Sequence, residues 1–207
     1  MKLIPEKIII SQNLIYWNFK RFFDVIISLT LLPLFFIVLI ILLILNPKYN
    51  KGKVFYIQKR MGINCTSFNA IKFRTMVDIG RINRQFYDPL EVDRITVLGH
   101  FLRKTRLDEL PQIINVIKGE MSLIGPRPEY YEHALFFIDK ISFYRSRHLI
   151  RPGISGLSQI RMGYAEGLDA TRRKVKIDIF YIKNAGFLLD IKIFFGTILT
   201  ILKSLGK

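Results

Sequence analysis

Phe22-Phe23-Asp24-Val25-Ile26-Ile27-Ser28-Leu29-Thr30-Leu31-Leu32-Pro33-Leu34-Phe35-Phe36-Ile37-Val38-Leu39-Ile40-Ile41-Leu42-Leu43-Ile44-Leu45 runs for 24 residues with one charge, Asp24. Roughly 20 apolar residues, at about 1.5 Å each, cross a bilayer, so the run is long enough. Pro33 stands near its middle, where the missing N–H and the ring kink a helix. Lys20 and Arg21 precede the run, and Lys48, Lys51 and Lys53 follow it, so the positive-inside rule draws both ends to the same face. A helix that enters one leaflet, bends at Pro33 and returns satisfies both features, whereas an ordinary kinked transmembrane helix satisfies the length. Composition leaves both open. The run is a poor secretory signal, because it begins well inside the chain, contains Asp24 and is followed by no small-residue cleavage site.

The rest of the composition agrees with a membrane surface. The 207 residues suffice for one modest domain. Lysine and arginine number 32 against 16 acidic residues, a formal net charge of +16, while half the residues are apolar. Mean hydropathy is +0.26, which excludes a disordered chain. Positive charge together with surplus apolar residues suits an anionic lipid surface; charge alone also allows nucleic acid. The single cysteine, Cys65, excludes a disulfide framework and a multi-cysteine zinc site. No repeat, low-complexity tract or linker divides the chain.

After Pro47 the pattern changes. Val54–Gln58, the turn residues Gly62-Ile63-Asn64 and Phe68–Phe73 predict a β-hairpin. Residues 78–94 are polar and aperiodic, as in a mobile loop. Leu98–Ile117 has helical spacing interrupted by Pro111, with Gly119 as its stop. Gly125-Pro126-Arg127-Pro128 and Arg151–Gly156 are rigid loops. Phe136–Tyr144 is helical, and Phe187–Leu205 is an apolar helical stretch that suits the core or a membrane interface.

No phosphate-binding glycine loop, dinucleotide fingerprint, nucleophile elbow or zinc-protease motif occurs, and no Asp-x-Asp. His100, His133 and His148 are scattered without metal-ligand spacing. The segment that draws attention is Leu102-Arg103-Lys104-Thr105-Arg106-Leu107-Asp108-Glu109-Leu110-Pro111. Proline is tolerated in a first helical turn, so a helix starting near Asp108 places that carboxylate at its N-terminus, where anions and phosphates are favoured. Adjacent helical positions point about 100° apart, which suits Asp108 and Glu109 to two separate roles; taken alone, the segment favours a capping Asp beside a solvated Glu and surface lysines. Lys72 and Arg74 alternate on a predicted strand and so share a face. Arg103, Arg127 and Arg151 each adjoin a rigid feature, and arginine matches phosphate oxygens in a bidentate way.

Taken in order, Lys20-Arg21-x-x-Asp24, Phe55-x-x-Gln58-x-Arg60-x-Gly62, Lys72-Phe73-Arg74-Thr75-Met76, Asp93-Arg94-Ile95-Thr96 and Leu107-Asp108-Glu109-Leu110-Pro111-Gln112 resemble the bacterial sugar transferases, the monotopic phosphoglycosyl transferases. Asn115-Val116-x-Lys118-Gly119-x-Met121-Ser122-Leu123-x-Gly125-Pro126-Arg127-Pro128-Glu129 and Arg151-Pro152-Gly153-x-x-Gly156-Leu157 complete the resemblance, which extends from about Lys20 to Leu205. Ser155, Ser158 and Glu120 are conservative departures from the usual threonine, alanine and aspartate.

The resemblance implies an enzyme that passes sugar-1-phosphate from a UDP-sugar to polyprenyl (undecaprenyl) phosphate. The products are UMP and the polyprenyl-diphosphate sugar, which begins capsule, lipopolysaccharide or exopolysaccharide assembly. It implies Asp108 as nucleophile, forming a covalent aspartyl-phosphosugar; Glu109 as the second carboxylate and metal ligand, with Mg²⁺ as cofactor; and Lys72, Arg103, Arg127 and Asp178 in substrate or phosphate binding, to which the reading of the residues adds Arg74 and Arg151. A one-step transfer, with Asp108 only holding metal, and a non-catalytic membrane protein that binds lipid or nucleic acid through basic patches are the alternatives. The implied architecture is a compact membrane-associated α/β domain over residues 1–207, with interfacial amphipathic helices and a small hairpin. Residues 20–46 form the re-entrant helix bent at Pro33, and residues 48–207 the catalytic region on the cytoplasmic face of the bacterial inner membrane. Anionic inner-leaflet lipids are the expected partners, and nucleic acid is not.

Overall fold

The computed structural model describes residues 13–78, 91–162 and 167–203. The apolar run forms two helices, α1 (Leu14–Thr30) and α2 (Leu32–Tyr49), with the break at Leu31 and Pro33 in the first turn of α2. Leu31 keeps right-handed helical dihedrals and bonds on both sides, its N to Ile27 O at 3.1 Å and its O to Phe35 N at 2.9 Å, so Pro33 interrupts the ladder only locally, by its missing N–H and its ring.

Helix α1 is inverted relative to an ordinary surface helix, and α2 is apolar on both faces. On α1 the buried stripe is Tyr16, Lys20, Asp24 and Ser28, at the i, i+4 spacing of one face, while Leu14, Ile15, Phe19, Phe22, Phe23, Ile26 and Ile27 are exposed. On α2, Phe35, Val38, Leu42 and Asn46 face inward, and Phe36, Ile37, Ile40, Ile41, Leu43 and Ile44 face out. By length and hydropathy α2 can cross a membrane.

The polar stripe of α1 is spent within the protein. Lys20 pairs with Asp190 at 2.7 Å, and Arg21 donates to the carbonyls of Val116 (2.7 Å) and Ile117 (3.2 Å). Asp24 accepts from Ser122 Oγ (2.7 Å) and Leu123 N (3.1 Å). The two basic residues ahead of the apolar run therefore serve as internal ties. At the other end of the pair, Phe35 stacks on Phe73 at 5.8 Å between ring centroids, and Val38 and Leu42 join a core with Leu102 and Ile113. Asn46 donates to Gly52 O at 2.6 Å. Both arms of the broken pair thus pack on the same globular body.

That body is mainly helical, with two small sheets. β1 (Phe55–Met61) and β2 (Ser67–Phe73) form the expected antiparallel hairpin, in the register Phe55↔Phe73 to Met61↔Ser67. Of the loop predicted at 78–94, residues 79–90 lie outside the described residues, and Val92–Arg94 make a 3₁₀ turn. The predicted helix over 98–117 is divided into α3 (Val97–Thr105), a 3₁₀ turn over Leu107–Glu109, and α4 (Gln112–Lys118), which ends at Gly119.

The two stretches read as rigid loops are joined: β3 (Ser122–Ile124) pairs in parallel with β4 (Gly153–Ser155). A Cβ on Gly153 would lie 2.1 Å from Gly125 N, so this approach needs glycine. Then come α5 (Tyr131–Lys140), a 3₁₀ turn over Tyr144–His148, α6 (Leu157–Met162), α7 (Leu168–Asn184) and α8 (Phe187–Leu202). The polar helix α7 carries no signature that marks it in the sequence. Helix α8 buries Ile193 and leaves Phe187, Leu188, Ile191, Phe194, Phe195 and Leu199 exposed, so α1, α2 and α8 together present far more apolar surface than an isolated soluble domain carries.

Candidate active site

The site forms where three segments meet. Helix α3 docks on the chain leaving β2 because Gly99 has no side chain: a Cβ there would fall 1.9 Å from Thr75 O. Arg103 of α3 then donates to Thr75 Oγ1 at 2.9 Å. At the end of α3, Arg106 takes the left-handed conformation (φ 60°), which few non-glycine residues adopt. This residue reverses the chain into the 3₁₀ turn and delivers Asp108 and Glu109, both buried. Strand β2 contributes Lys72, and the loop after β3 contributes Arg127.

The two carboxylates play different electrostatic parts. Glu109 Oε1 accepts from Lys72 Nζ at 2.5 Å and Arg127 Nη2 at 2.6 Å, and Oε2 accepts from Arg127 Nη1 at 3.2 Å. Burial opposes its charge, but the nearby Arg127 and Lys72 charges and their hydrogen bonds hold its carboxyl well below the ordinary glutamate range. Asp108 has one oxygen, Oδ1, buried without a hydrogen-bond partner. Burial and then the neighbouring Glu109 charge push its carboxyl upward, while Lys72 and Arg127 pull it back. Lys72 is lowered to about 8, chiefly by burial, with Glu109 opposing the fall. One carboxylate therefore anchors two cations, and the other is left poorly solvated beside them. A poorly solvated, unpaired carboxylate is a stronger nucleophile than a solvated one, and the flanking cations favour the approach of an anion.

The structure brings Lys72, Asp108, Glu109 and Arg127 together, with Arg103 joined to the chain just beyond Lys72. The other three residues singled out in the sequence sit elsewhere. Arg74 does not share the face of Lys72, because β2 ends at Phe73. Its guanidinium is used by the carbonyls of Lys53 (2.5 Å), Met76 (2.8 Å), Lys51 (2.9 Å) and Asn50. Arg151 donates to Gly119 O at 2.8 Å, at the end of α4. Asp178 of α7 is buried against Arg147 at 2.7 Å.

A charged cluster that sequence reading missed lies behind the Arg127 loop. Arg147 is fully buried and reaches Asp178 (2.7 Å), Glu129 (3.7 Å) and the Arg127 carbonyl (2.9 Å). Lys174 pairs with Glu129 at 2.8 Å. No spacing rule links positions 129, 147, 174 and 178; the cues are Glu129 directly after the Pro-Arg-Pro triplet and Asp178, which the resemblance marked as a site position.

Comparison with known proteins places the chain in a family. The bacterial sugar transferase family model matches residues 15–204. A UDP-N-acetylgalactosamine-undecaprenyl-phosphate N-acetylgalactosaminephosphotransferase of Aeromonas hydrophila is 42% identical over 193 residues, covering 93% of this chain and 45% of the relative. A UDP-glucose:undecaprenyl-phosphate glucose-1-phosphate transferase of Klebsiella pneumoniae is 35% identical, covering 87% and 39%. The exopolysaccharide production protein ExoY of Rhizobium meliloti (strain 1021) is 39% identical, covering 91% of this chain and 87% of the relative. The chain belongs to the bacterial sugar transferase family. It spans less than half the length of the first two relatives and most of the third.

Proposed function

We propose that this protein transfers sugar-1-phosphate from a UDP-sugar to membrane undecaprenyl phosphate, releasing UMP, as the first membrane step in building an exopolysaccharide or related glycoconjugate. The observation that carries the reading is the buried Asp108 oxygen without a partner, next to a glutamate that already holds two cations. Phosphate-rich substrates repel a carboxylate, and catalysis of such a transfer rests on offsetting that charge. Lys72 and Arg127 supply it at Asp108.

Asp108 attacks the phosphorus that bears the sugar. An Asp108 oxygen–phosphorus bond forms, the bond from that phosphorus to the bridging oxygen breaks, and the electron pair leaves with UMP. A phosphate oxygen of undecaprenyl phosphate then attacks the same phosphorus, and the Asp108 carboxylate departs as the leaving group. Glu109 keeps Lys72 and Arg127 oriented, and Arg103 braces the chain beside Lys72 through Thr75.

Mg²⁺ fits the donors present. Among the described residues no three His, Cys, Asp or Glu side chains converge, so Glu109 would hold the ion through Oε2, whose contact with Arg127 is the longer one at 3.2 Å, with substrate phosphates completing its shell as Mg²⁺ usually requires. Bound there, it would neutralise diphosphate charge.

Helices α1 and α2 support a re-entrant hairpin seated in one leaflet: both expose apolar faces, while both arms pack on the same body. The surplus positive charge favours anionic lipid on the cytoplasmic side of the inner membrane. Intact-protein mass spectrometry tests the chemistry. Purified protein with Mg²⁺ and a panel of UDP-sugars, without polyprenyl phosphate, should gain the mass of one phosphosugar, and Asp108→Asn should not. No adduct, with UMP released once undecaprenyl phosphate is added, refutes the covalent route in favour of direct transfer; no UMP with any donor refutes the transferase reading itself.

A further inference from the structure

We infer that Arg147 is a positioning residue for Arg127, and that Asp178 and Glu129 influence the site through Arg147 instead of touching substrate; this rests on the reading of Asp108 and Glu109 as the reacting pair. A fully buried guanidinium is costly to keep and is weak evidence of added stability, so its geometry is what needs explaining. Arg147 Nη2 donates to the Arg127 carbonyl at 2.9 Å and meets Asp178 Oδ2 at 2.7 Å. Its other nitrogen lies 3.3 Å from Tyr144 OH and 3.7 Å from Glu129. The residue whose carbonyl it holds is the one whose side chain grips Glu109.

The loop around Arg127 is clamped carbonyl by carbonyl. Pro126 O accepts from Gly153 N (3.0 Å), Arg127 O from Arg147, Pro128 O from Arg60 (2.5 Å) and Glu129 O from Met61 N (3.1 Å). Pro126 and Pro128 fix their own φ angles, so four hydrogen bonds to β1, β4 and the 144–148 turn leave Arg127 one backbone position. Of the four, the Arg147 bond acts on Arg127 itself. Helix α7 supplies the counter-charges from one face: Asp178 to Arg147 and, one turn earlier, Lys174 to Glu129. Asp178 thereby bears on Glu109 through Arg147, the Arg127 carbonyl and the Arg127 guanidinium.

The test is a pair of double-mutant cycles on the full chain in detergent or nanodiscs. In thermal unfolding, Arg147→Lys should lower the melting temperature less in a Glu109→Gln background than in wild type, because the Arg127 grip is already gone. Asp178→Asn with Arg147→Met should cost less than the sum of the two. Additive melts in the first cycle, as a merely structural arginine gives, overturn the inference, and this arm needs no turnover. In turnover with a donor the wild type uses, Arg147→Lys and Asp178→Asn should each lower kcat about 10–100-fold, the range for residues that orient active groups, with donor KM nearly unchanged and the pair non-additive. A KM rise for Asp178→Asn that Arg147→Lys does not share means direct substrate contact and also overturns the inference. Coupled melts in a protein that turns over no donor would refute the transferase reading and leave the clamp standing.

Discussion

Replacing Glu109 with glutamine should move the alkaline limit of activity by pH units. Lys72, lowered to about 8 mainly by burial, keeps its charge at neutral pH because Glu109 accepts from its ammonium at 2.5 Å. With a pKa near 8, the lysine is charged below that value and loses its charge as pH rises through it, and the site's attraction for a diphosphate goes with it. Two unit charges about 4 Å apart at an effective dielectric of about 20 interact by roughly 4 kcal/mol, equivalent to about 3 pH units. Losing the Glu109 charge, with Arg127 still present as a repelling neighbour, should therefore draw the limb down by about two to three pH units. At pH 7 the variant would hold a neutral Lys72. Initial rates of UMP release between about pH 4.5 and pH 9.5, at donor concentrations well below KM, measure the limb directly. Lys72→Arg is the control, since guanidinium stays protonated throughout and the limb should vanish. A Glu109→Gln profile still turning near 8, or a Lys72→Arg profile unchanged from wild type, would refute this account of Lys72.

Three further outcomes follow from the packing and the charges. Gly99→Ala puts a methyl 1.9 Å from the Thr75 carbonyl; overpacking against a backbone that cannot yield should cost at least about 2 kcal/mol, a fall of at least roughly 4 °C in melting temperature, with activity lost in parallel. Arg106→Gly relieves the left-handed backbone at φ 60° and should raise stability by about 1 kcal/mol, read as roughly 2–4 °C by calorimetry. Glu109 and Glu129 are both held below the ordinary glutamate value of 4.5 despite burial, Glu109 by Arg127 and Lys72, Glu129 by Lys174 and Arg147. Their contribution to stability is complete above that value and is lost as pH falls below it. Glu129→Gln should then flatten the loss of melting temperature between pH 5 and pH 3; an unchanged acid limb would contradict the Lys174–Glu129–Arg147 assignment.

Much of the site was legible because its signals are local. The Asp108-Glu109 pair, the proline-flanked Arg127, the hairpin bearing Lys72 and the Gly119 stop are each written in a few neighbouring residues. Arg74 shows where such reading fails: alternation put it beside Lys72, but β2 ends one residue earlier and the side chain turns to the carbonyls around residues 50–53. Lys20 and Arg21 show it again, since charge next to an apolar run looks the same whether it meets lipid headgroups, Asp190 of α8 or the end of α4.

By itself the sequence determined that a proline-broken apolar segment precedes a small hairpin and a helical region with adjacent carboxylates, because turn chemistry, proline geometry and hydrophobic period act within a few residues. Tertiary structure alone decided which carboxylate would be anchored and which left bare. That depends on Lys72 and Arg127 arriving from 37 and 18 residues away to the same glutamate, and on Arg147 and α7 closing behind them. Burial and Coulomb energies depend on distances in space, and no local pattern encodes those distances.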